Sequence, residues 1–225
     1  MPHTTTDRAD VRDMLVVHEA FRQCYSRLPA LVREVAPGDV KRAEVVADHA
    51  KLIEDFLHLH HKGEDDLLWP KLLERAGDRL GAAVAMLESQ HEEIATLLSE
   101  SSGRLAVWRV QPSKESGEEL ADSLDRLGAL LTEHLGIEEK DVLPLVPEYV
   151  TAKEWHELGD HAINALPKSK LPIVFGMLAS LADPDVVKLM LSTAPLVPRM
   201  IMPVVGPKAY VRHARRVYGP VQAAA

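Results

Sequence analysis

The sequence contains little cysteine and few aromatic residues. Cys24 is its single cysteine, so no disulfide can form within the chain, and a reducing compartment, the cytoplasm, is the expected location. Phe, Trp and Tyr make up only 4% of the residues, whereas Leu, Ala, Val and Glu are abundant. This balance favours an all-α fold over a β-sandwich.

The chain also lacks a long apolar segment and an excess of positive charge. The longest apolar run, Leu171 to Ala182, is too short to cross a bilayer, so no transmembrane helix is predicted. Residues 1–10 contain no apolar stretch of the kind found in signal peptides. The formal net charge of −8 argues against a nucleic-acid partner.

The charge is distributed unevenly along the chain. Residues 1–150 hold 17 basic and 29 acidic side chains, a net charge of −12, whereas residues 151–225 hold nine and five, a net charge of +4. We therefore predict two parts, a domain over residues 1–150 and a C-terminal extension over residues 151–225.

Four long helices are predicted within the first part. Pro37-Gly38 should end the first, Gly77-Asp78 the second, and Ser116 with Glu119 should form a capping box for the fourth. The predicted spans are 7–35, 39–76 with a bend at Pro70, 78–109, and 116 to about 144–147. Short connections between long helices indicate an up-down-up-down four-helix bundle.

The extension has a different character. Thr151 and Glu154 suggest another capping box, and Asp183-Pro184 another helix start. Seven prolines between residues 167 and 207 predict several short helices, which we expect to pack on the outside of the bundle.

One polar pattern occurs twice, on the second and fourth predicted helices. His60-x-x-x-Glu64 recurs as His134-x-x-x-Glu138, 74 residues later, and an acidic residue follows each glutamate. The first and third helices each contribute a His-Glu pair, at His18 and His91, which are 73 residues apart. The domain therefore resembles a doubled helical hairpin with the same polar groups at matching heights.

The spacing of this pattern suits metal binding. Residues four apart lie on one face of a helix, about 6 Å apart along its axis, so a His and a Glu can reach the same ion. Two ions bridged by two carboxylates, with two histidines each, would use the whole set. Imidazole and carboxylate together suit iron, manganese or zinc, and a buried carboxylate requires a compensating cation.

These residues resemble the hemerythrin-like, or HHE cation-binding, domain over about residues 10–148. The resemblance implies a four-helix bundle with a non-haem, oxo- or hydroxo-bridged pair of iron ions, with manganese or zinc as lesser alternatives. By motif, it implies that the four histidines are terminal ligands and that the two glutamates bridge the ions. The implied metal ligands are His18, His60, Glu64, His91, His134 and Glu138.

The sequence departs from the oxygen-carrying members of that family at Leu87, where they have a second histidine four residues before His91. The departure removes one ligand and predicts an open coordination position on one ion. It favours a protein that reacts with a small oxidant over a reversible oxygen carrier. His61 or Tyr25 could fill the vacancy. His61 is predicted to be poorly placed because it lies about 100° round the helix from His60.

Three functions are left open. The first is a di-iron protein with peroxidase-like, catalase-like or nitric oxide-reducing activity towards hydrogen peroxide, nitric oxide or oxygen, active in oxidative or nitrosative stress. The second is a non-catalytic sensor of oxygen, nitric oxide or iron, or an iron store. The third is a metal-free structural bundle.

Other polar residues are given lesser roles. Asp65 and Glu139, which follow the bridging residues, are expected to support the ligands. The remaining histidines are expected to be surface groups or to have partners in the protein; these are His49, His58, His156, His161 and His213. The extension could also bind an unknown protein or a membrane surface through Leu171–Ala182 and the basic end at residues 208–219.

Overall fold

The computed structural model describes residues 8–192 and 194–219, and its regular structure is helical, with one isolated β-bridge between Arg8 and Thr151. The all-α prediction is therefore confirmed. Four long helices, which pack against one another, hold most of the domain: α1 Arg12–Arg33, α2 Val40–Gly63, α3 Trp69–Val110 and α4 Lys114–Ile137. Two π-helical segments, Glu64–Leu68 and Glu138–Val142, follow α2 and α4.

The helix starts agree with the sequence at Asp39 but not at Ser116. The Asp39 side chain accepts a hydrogen bond from the backbone N–H of Arg42 at 3.0 Å, as a cap should. The capping box of α4 is formed by Ser113 and Ser116, not by Ser116 and Glu119. Ser113 has extended backbone angles and accepts from the N–H of Ser116, so the helix begins earlier than predicted.

The junction between α2 and α3 is smoother than predicted. Pro70 lies in the first turn of α3, where a backbone N–H is not needed for a hydrogen bond within the helix. It therefore does not break the helix. Helix α3 itself is interrupted at Ala76 (φ −140°, ψ 24°), where two helical segments meet at a kink. The predicted helix end at Gly77 is therefore confirmed to within one residue.

Two apolar clusters fill the bundle, one on each side of the histidines. Along α1, Met14 belongs to one cluster and Phe21 to the other, with His18 between them. The same order holds on α3, where Leu87 and Ile94 flank His91. The predicted ligands thus form one polar layer between two layers that exclude water.

The C-terminal extension forms helices that pack on the bundle. The short helix α5 Val146–Tyr149 precedes the extension, whose own helices are α6 Ala152–Ala165, α7 Leu171–Leu181, α8 Pro184–Met190 and α9 Leu196–Tyr218. The predicted starts at Thr151 and Pro184 are confirmed. Val174, Met177 and Val217 lie in the same apolar cluster as Phe21 of the bundle.

Helix α9 is not the series of short helices that its prolines suggested. It runs for 23 residues through Pro203 and Pro207, which lie on its exposed side. It crosses α7 at Gly176 and Gly206, where a Cβ on Gly176 would come within 2.1 Å of the Gly206 carbonyl oxygen. This close crossing holds the two helices together in spite of the prolines.

Across the described ranges, no helix has the combination of length and apolar character that crossing a membrane demands.

Candidate metal centre

The six predicted ligands come together in the interior of the bundle. Helix α1 provides His18, α2 provides His60, α3 provides His91 and α4 provides His134. Glu64 and Glu138 are the first residues of the two π-helical segments. All six are buried, and the most exposed of them, His60, retains only 8% of its accessible surface.

Each glutamate begins a turn that is one residue wider than an α-helical turn. The Glu64 carbonyl accepts from the N–H of Trp69, and the Glu138 carbonyl from the N–H of Leu143, so both bonds span five residues. Such π-helical turns are rare and concentrate at functional sites. The spacing of the His and Glu residues in the sequence did not predict these π-helical turns.

The side chains form two groups, each with four ligand atoms within 4.8 Å of one another. The first group is His18, His60, Glu64 and Glu138, and the second is His61, Glu64, His91 and His134. Glu64 belongs to both groups because its two oxygens face different histidines. Oε1 lies 3.3 Å from His60 Nε2, and Oε2 lies 3.5 Å from His91 Nε2.

Most of the facing atoms lack, in the described part of the chain, the hydrogen-bond partners that buried polar groups normally have. Seven buried atoms of this layer have no hydrogen-bond partner within the described ranges: Nε2 of His18, His60 and His61, and both carboxylate oxygens of Glu64 and Glu138. In addition, Nε2 of His91 lies 3.2 Å from Nε2 of His134. Nitrogens and carboxylate oxygens that converge unpaired in a dry interior fit a metal ion.

Burial also changes the protonation of these groups. It raises the pKa of Glu64 well above its usual range, with a further contribution from Glu138, and it raises the pKa of Glu138. It lowers the pKa of His60 well below its usual range and that of His134 to about 3. The imidazoles of His60 and His134 are therefore neutral, the form that binds metal, and the carboxylates need a nearby positive charge to ionise.

Comparison with known proteins agrees with this geometry. The model of the hemerythrin HHE cation binding domain matches residues 9–146. The chain belongs to the hemerythrin HHE family. Neither the curated proteins nor the solved structures contain a match to it.

Within this hemerythrin HHE domain, His61 is placed differently from the prediction. Its side chain is 6% exposed, and its ring stacks on that of His91 with centroids 4.1 Å apart. The prediction that His61 is poorly placed was wrong because α2 contacts a different neighbouring helix on each side. His60 lies beside His18 of α1, with ring centroids 5.2 Å apart, while His61 faces α3.

Tyr25, the other residue considered for the vacancy, is buried and packs against Gly128, six residues before His134 along α4. Burial raises the pKa of Tyr25 well above its usual range, with a smaller contribution from Glu54. Its hydroxyl has no hydrogen-bond partner within the described ranges. Of the two candidates, His61 has a ligand atom in the second group.

Three side chains around the layer orient the histidines. Glu139 accepts from His18 Nδ1 at 2.9 Å, and Asp65 faces His91 Nδ1 at 2.7 Å. Each of these acids follows a predicted bridging glutamate, so the sequence repeat reappears as a repeated contact. Hydrogen bonds of this kind fix the ring so that Nε2 faces the metal.

Gln90 Oε1 lies 3.2 Å from His134 Nδ1, a contact that the sequence did not suggest. Glu139 also accepts from Arg22 at 2.8 Å. Although burial acts to raise the pKa of Glu139, the hydrogen bonds from His18 and Arg22 lower it to about 2.

Proposed function

We propose that this hemerythrin HHE domain holds two iron ions and reacts with a small oxidant such as hydrogen peroxide, nitric oxide or oxygen. The observation that carries the proposal is the set of seven unpaired buried donor atoms, arranged in two groups that share Glu64. Two groups with a common carboxylate suit two neighbouring ions better than one.

The donor set is compatible with iron. Imidazole and carboxylate ligands suit iron, manganese and zinc, and the two glutamates supply two negative charges to offset the charge of the ions. Bound iron would supply Lewis acidity and the capacity to exchange electrons. His18, His60, His61, His91 and His134 would hold the ions together with Glu64, which is common to both groups, and Glu138, which belongs to the first.

The number of donors leaves room for a ligand. Five imidazoles and two carboxylates offer nine donor atoms, whereas two six-coordinate ions have twelve positions. Because His61 brings the imidazoles to five, Leu87 no longer argues against reversible oxygen binding, and such binding becomes an outcome to be tested.

The enclosure of the centre restricts what can react there. No member of either group is more than 8% exposed, and apolar layers lie on both sides. A diatomic molecule or a peroxide can reach such a site through small side-chain movements, whereas a larger substrate cannot. The surrounding residues would exclude bulk water from the centre.

The first experiment measures metal content and the ultraviolet-visible absorption of protein purified without chelator. We expect about two irons per chain and oxo-bridge absorption, both lost in His60→Ala/His134→Ala. His58→Ala is the matched control, since His58 is exposed and lies two residues from His60. Absence of metal, together with no uptake of iron under anaerobic conditions, would overturn the proposal.

The second experiment separates reaction from sensing. Loaded protein is mixed with hydrogen peroxide, with nitric oxide plus an electron donor, and with oxygen. Turnover that is lost in His60→Ala/His134→Ala supports the reactive function. A stable adduct without turnover would indicate a sensor or carrier and contradict the reaction that we propose.

A further inference from the structure

The outer face of α9 is the most apolar exposed surface of the described chain. In the described part of the chain, thirteen large hydrophobic side chains are exposed, and six of them lie within ten consecutive residues of α9. These six retain between 42% and 72% of their accessible surface, and we call them the α9 apolar face: Leu196, Val197, Met200, Ile201, Val204 and Val205. The other seven are dispersed over α1, α2, α3 and α6.

The same side of α9 becomes basic after Gly206. At 100° per residue, Val197, Val204 and Arg215 project in nearly the same direction, and Lys208 lies within about 20° of it. Helix α9 contains no Asp or Glu. Its five basic residues are Arg199, Lys208, Arg212, Arg215 and Arg216. The chain carries −8 overall, so the rest of it carries −13.

The part of α9 from Gly206 onwards is anchored to the rest of the protein, and the α9 apolar face precedes it. The buried residues of the helix are Gly206, Ala214 and Val217, and none lies between Leu196 and Val205. Gly206 packs against Gly176 of α7, and Arg42 of α2 donates to the carbonyl oxygens of Arg216 and Val217 at 2.8 and 2.6 Å. The anchored part sets the position of the helix and leaves the α9 apolar face exposed to solvent.

We propose that α9 docks on a membrane surface rich in anionic lipids. The α9 apolar face would enter the boundary between headgroups and acyl chains, and the basic residues beyond Gly206 would contact lipid phosphates. Helices that lie in the interface combine apolar side chains with Lys and Arg, and the exposed part of α9 carries both, the apolar residues before Gly206 and the basic ones after it. Such a helix need not cross the bilayer, and none in the described ranges is able to.

Charge favours an anionic bilayer over a second copy of the chain. If two copies met through the same face of α9, their basic halves would be brought close together without acidic partners on that helix. Anionic lipids supply the complementary charge, and a bilayer accepts the convex surface of a helix without a shaped pocket. This inference does not depend on which metal the bundle holds.

The test is cosedimentation of the full-length, metal-loaded protein with vesicles. Vesicles of phosphatidylcholine with phosphatidylserine or phosphatidylglycerol are compared with pure phosphatidylcholine. We expect binding to the anionic vesicles only, weakened by salt. Arg212→Gln/Arg215→Gln should lower the affinity roughly 25-fold, since each cation near an anionic surface contributes about fivefold.

A second pair of variants tests the apolar face. Met200→Ser/Val204→Ser should lower vesicle binding at least about tenfold. Val107→Ser/Val110→Ser is the matched control, because those valines are 65% and 72% exposed on α3 and should not matter. Circular dichroism and metal content check that each variant is folded.

Two results would overturn the inference. One is the absence of binding to anionic vesicles, or binding that Met200→Ser/Val204→Ser leaves unchanged. The other is a dimer in analytical ultracentrifugation that Met200→Ser/Val204→Ser converts to monomer, because the face would then be an interface between copies.

Discussion

Two groups of histidines in this chain, one in the bundle and one that includes the buried His49, have opposite surroundings. In the bundle, imidazole nitrogens and carboxylate oxygens converge without hydrogen-bond partners in the described ranges. Where α9 meets α2, His49 Nδ1 lies 3.1 Å from His213 Nε2, and the Tyr218 hydroxyl lies 2.8 Å from His49 Nε2. We call these three residues the tail histidine cluster. Burial of histidine therefore does not mark a metal site; unmet bonding capacity beside carboxylates does.

The electrostatic surroundings differ as well. The histidines and glutamates of the candidate metal centre form what we call the bundle group. This group includes two glutamates, whereas the tail histidine cluster lies near cations. The guanidinium carbon of Arg27 is 3.7 Å from the Tyr218 ring centroid. Burial, aided by His213 and Arg27, lowers the pKa of His49 to about 3. A cation would be stabilised in the bundle and repelled at the tail.

The largest expected effect comes from removing the carboxylates of the bundle. Glu64→Gln/Glu138→Gln should abolish metal binding, because no carboxylate remains within the two groups to offset the charge of the ions. The variant should nevertheless melt above metal-free wild type, since it no longer buries two unpaired acids. Metal analysis and thermal unfolding of both proteins, with and without chelator, measure this.

Glu54→Gln is the control for that prediction. Glu54 is also buried, but it accepts from Ser101 and Ser102. It should retain the full metal content. Metal loss in Glu54→Gln equal to that in the double variant would remove the distinction between paired and unpaired buried acids.

The next effect is acid release of α9 from the bundle. The pKa of His49 in the folded protein is about 3 and that of His213 about 4, because burial disfavours their charged forms. Both values lie below the ordinary value of about 6.5, so this stability is complete above pH 6.5 and is lost as the pH falls. At pH 5 the cost is roughly 2 kcal/mol for each histidine.

Hydrogen exchange of metal-loaded protein at pH 7 and pH 5 measures that cost locally. We expect protection to fall in α9 while α1 keeps its protection. His213→Gln, which cannot gain the charge, should show about half the pH dependence. Equal loss of protection in α1 and α9 would mean that the tail histidine cluster is not the sensitive group.

A smaller effect is expected from the acids that orient the ligands. Asp65→Asn should weaken metal binding about 10- to 100-fold, and Glu139→Gln should do the same on the other side of the bundle. Asp66→Asn is the control, because Asp66 is exposed and pairs with Lys62. Competition with a chromophoric chelator gives the affinities. An affinity of Asp65→Asn equal to that of Asp66→Asn would contradict the role given to Asp65.

The sequence predicted the six residues of the bundle group because repeated motifs must lie at matching heights on packed helices. It did not predict His61, because the one-face rule assumes that a helix contacts a single neighbour, and α2 contacts both α1 and α3. The π-helical turns at Glu64 and Glu138 were missed for another reason. Their hydrogen bonds depend on tertiary packing, and the spacing of His and Glu is the same in either kind of turn.

The extension was harder to predict than the bundle. Prolines were taken as helix ends, yet Pro203 and Pro207 lie on the exposed side of α9, where the lost N–H groups do not disturb the contact with α7. That contact depends on Gly176 and Gly206, which are 30 residues apart in sequence. Propensity along the chain carries no information about such a pair.

The smallest expected effect concerns the hydroxyl of Tyr218. Tyr218→Phe removes the partner of His49 Nε2 and should lower the free energy of unfolding by about 1 kcal/mol, the net value of a single hydrogen bond. Tyr149→Phe is the control, because the Tyr149 hydroxyl accepts from Arg79 at an exposed position. Denaturant titration measures both variants.

Metal content should be unchanged in Tyr218→Phe, because its hydroxyl belongs to the tail histidine cluster and not to the bundle group. A variant that is destabilised and keeps its metal sharpens the contrast between the two clusters. A variant that loses metal would show that the clusters are energetically linked through α2, which contributes His49 to one and His60 to the other.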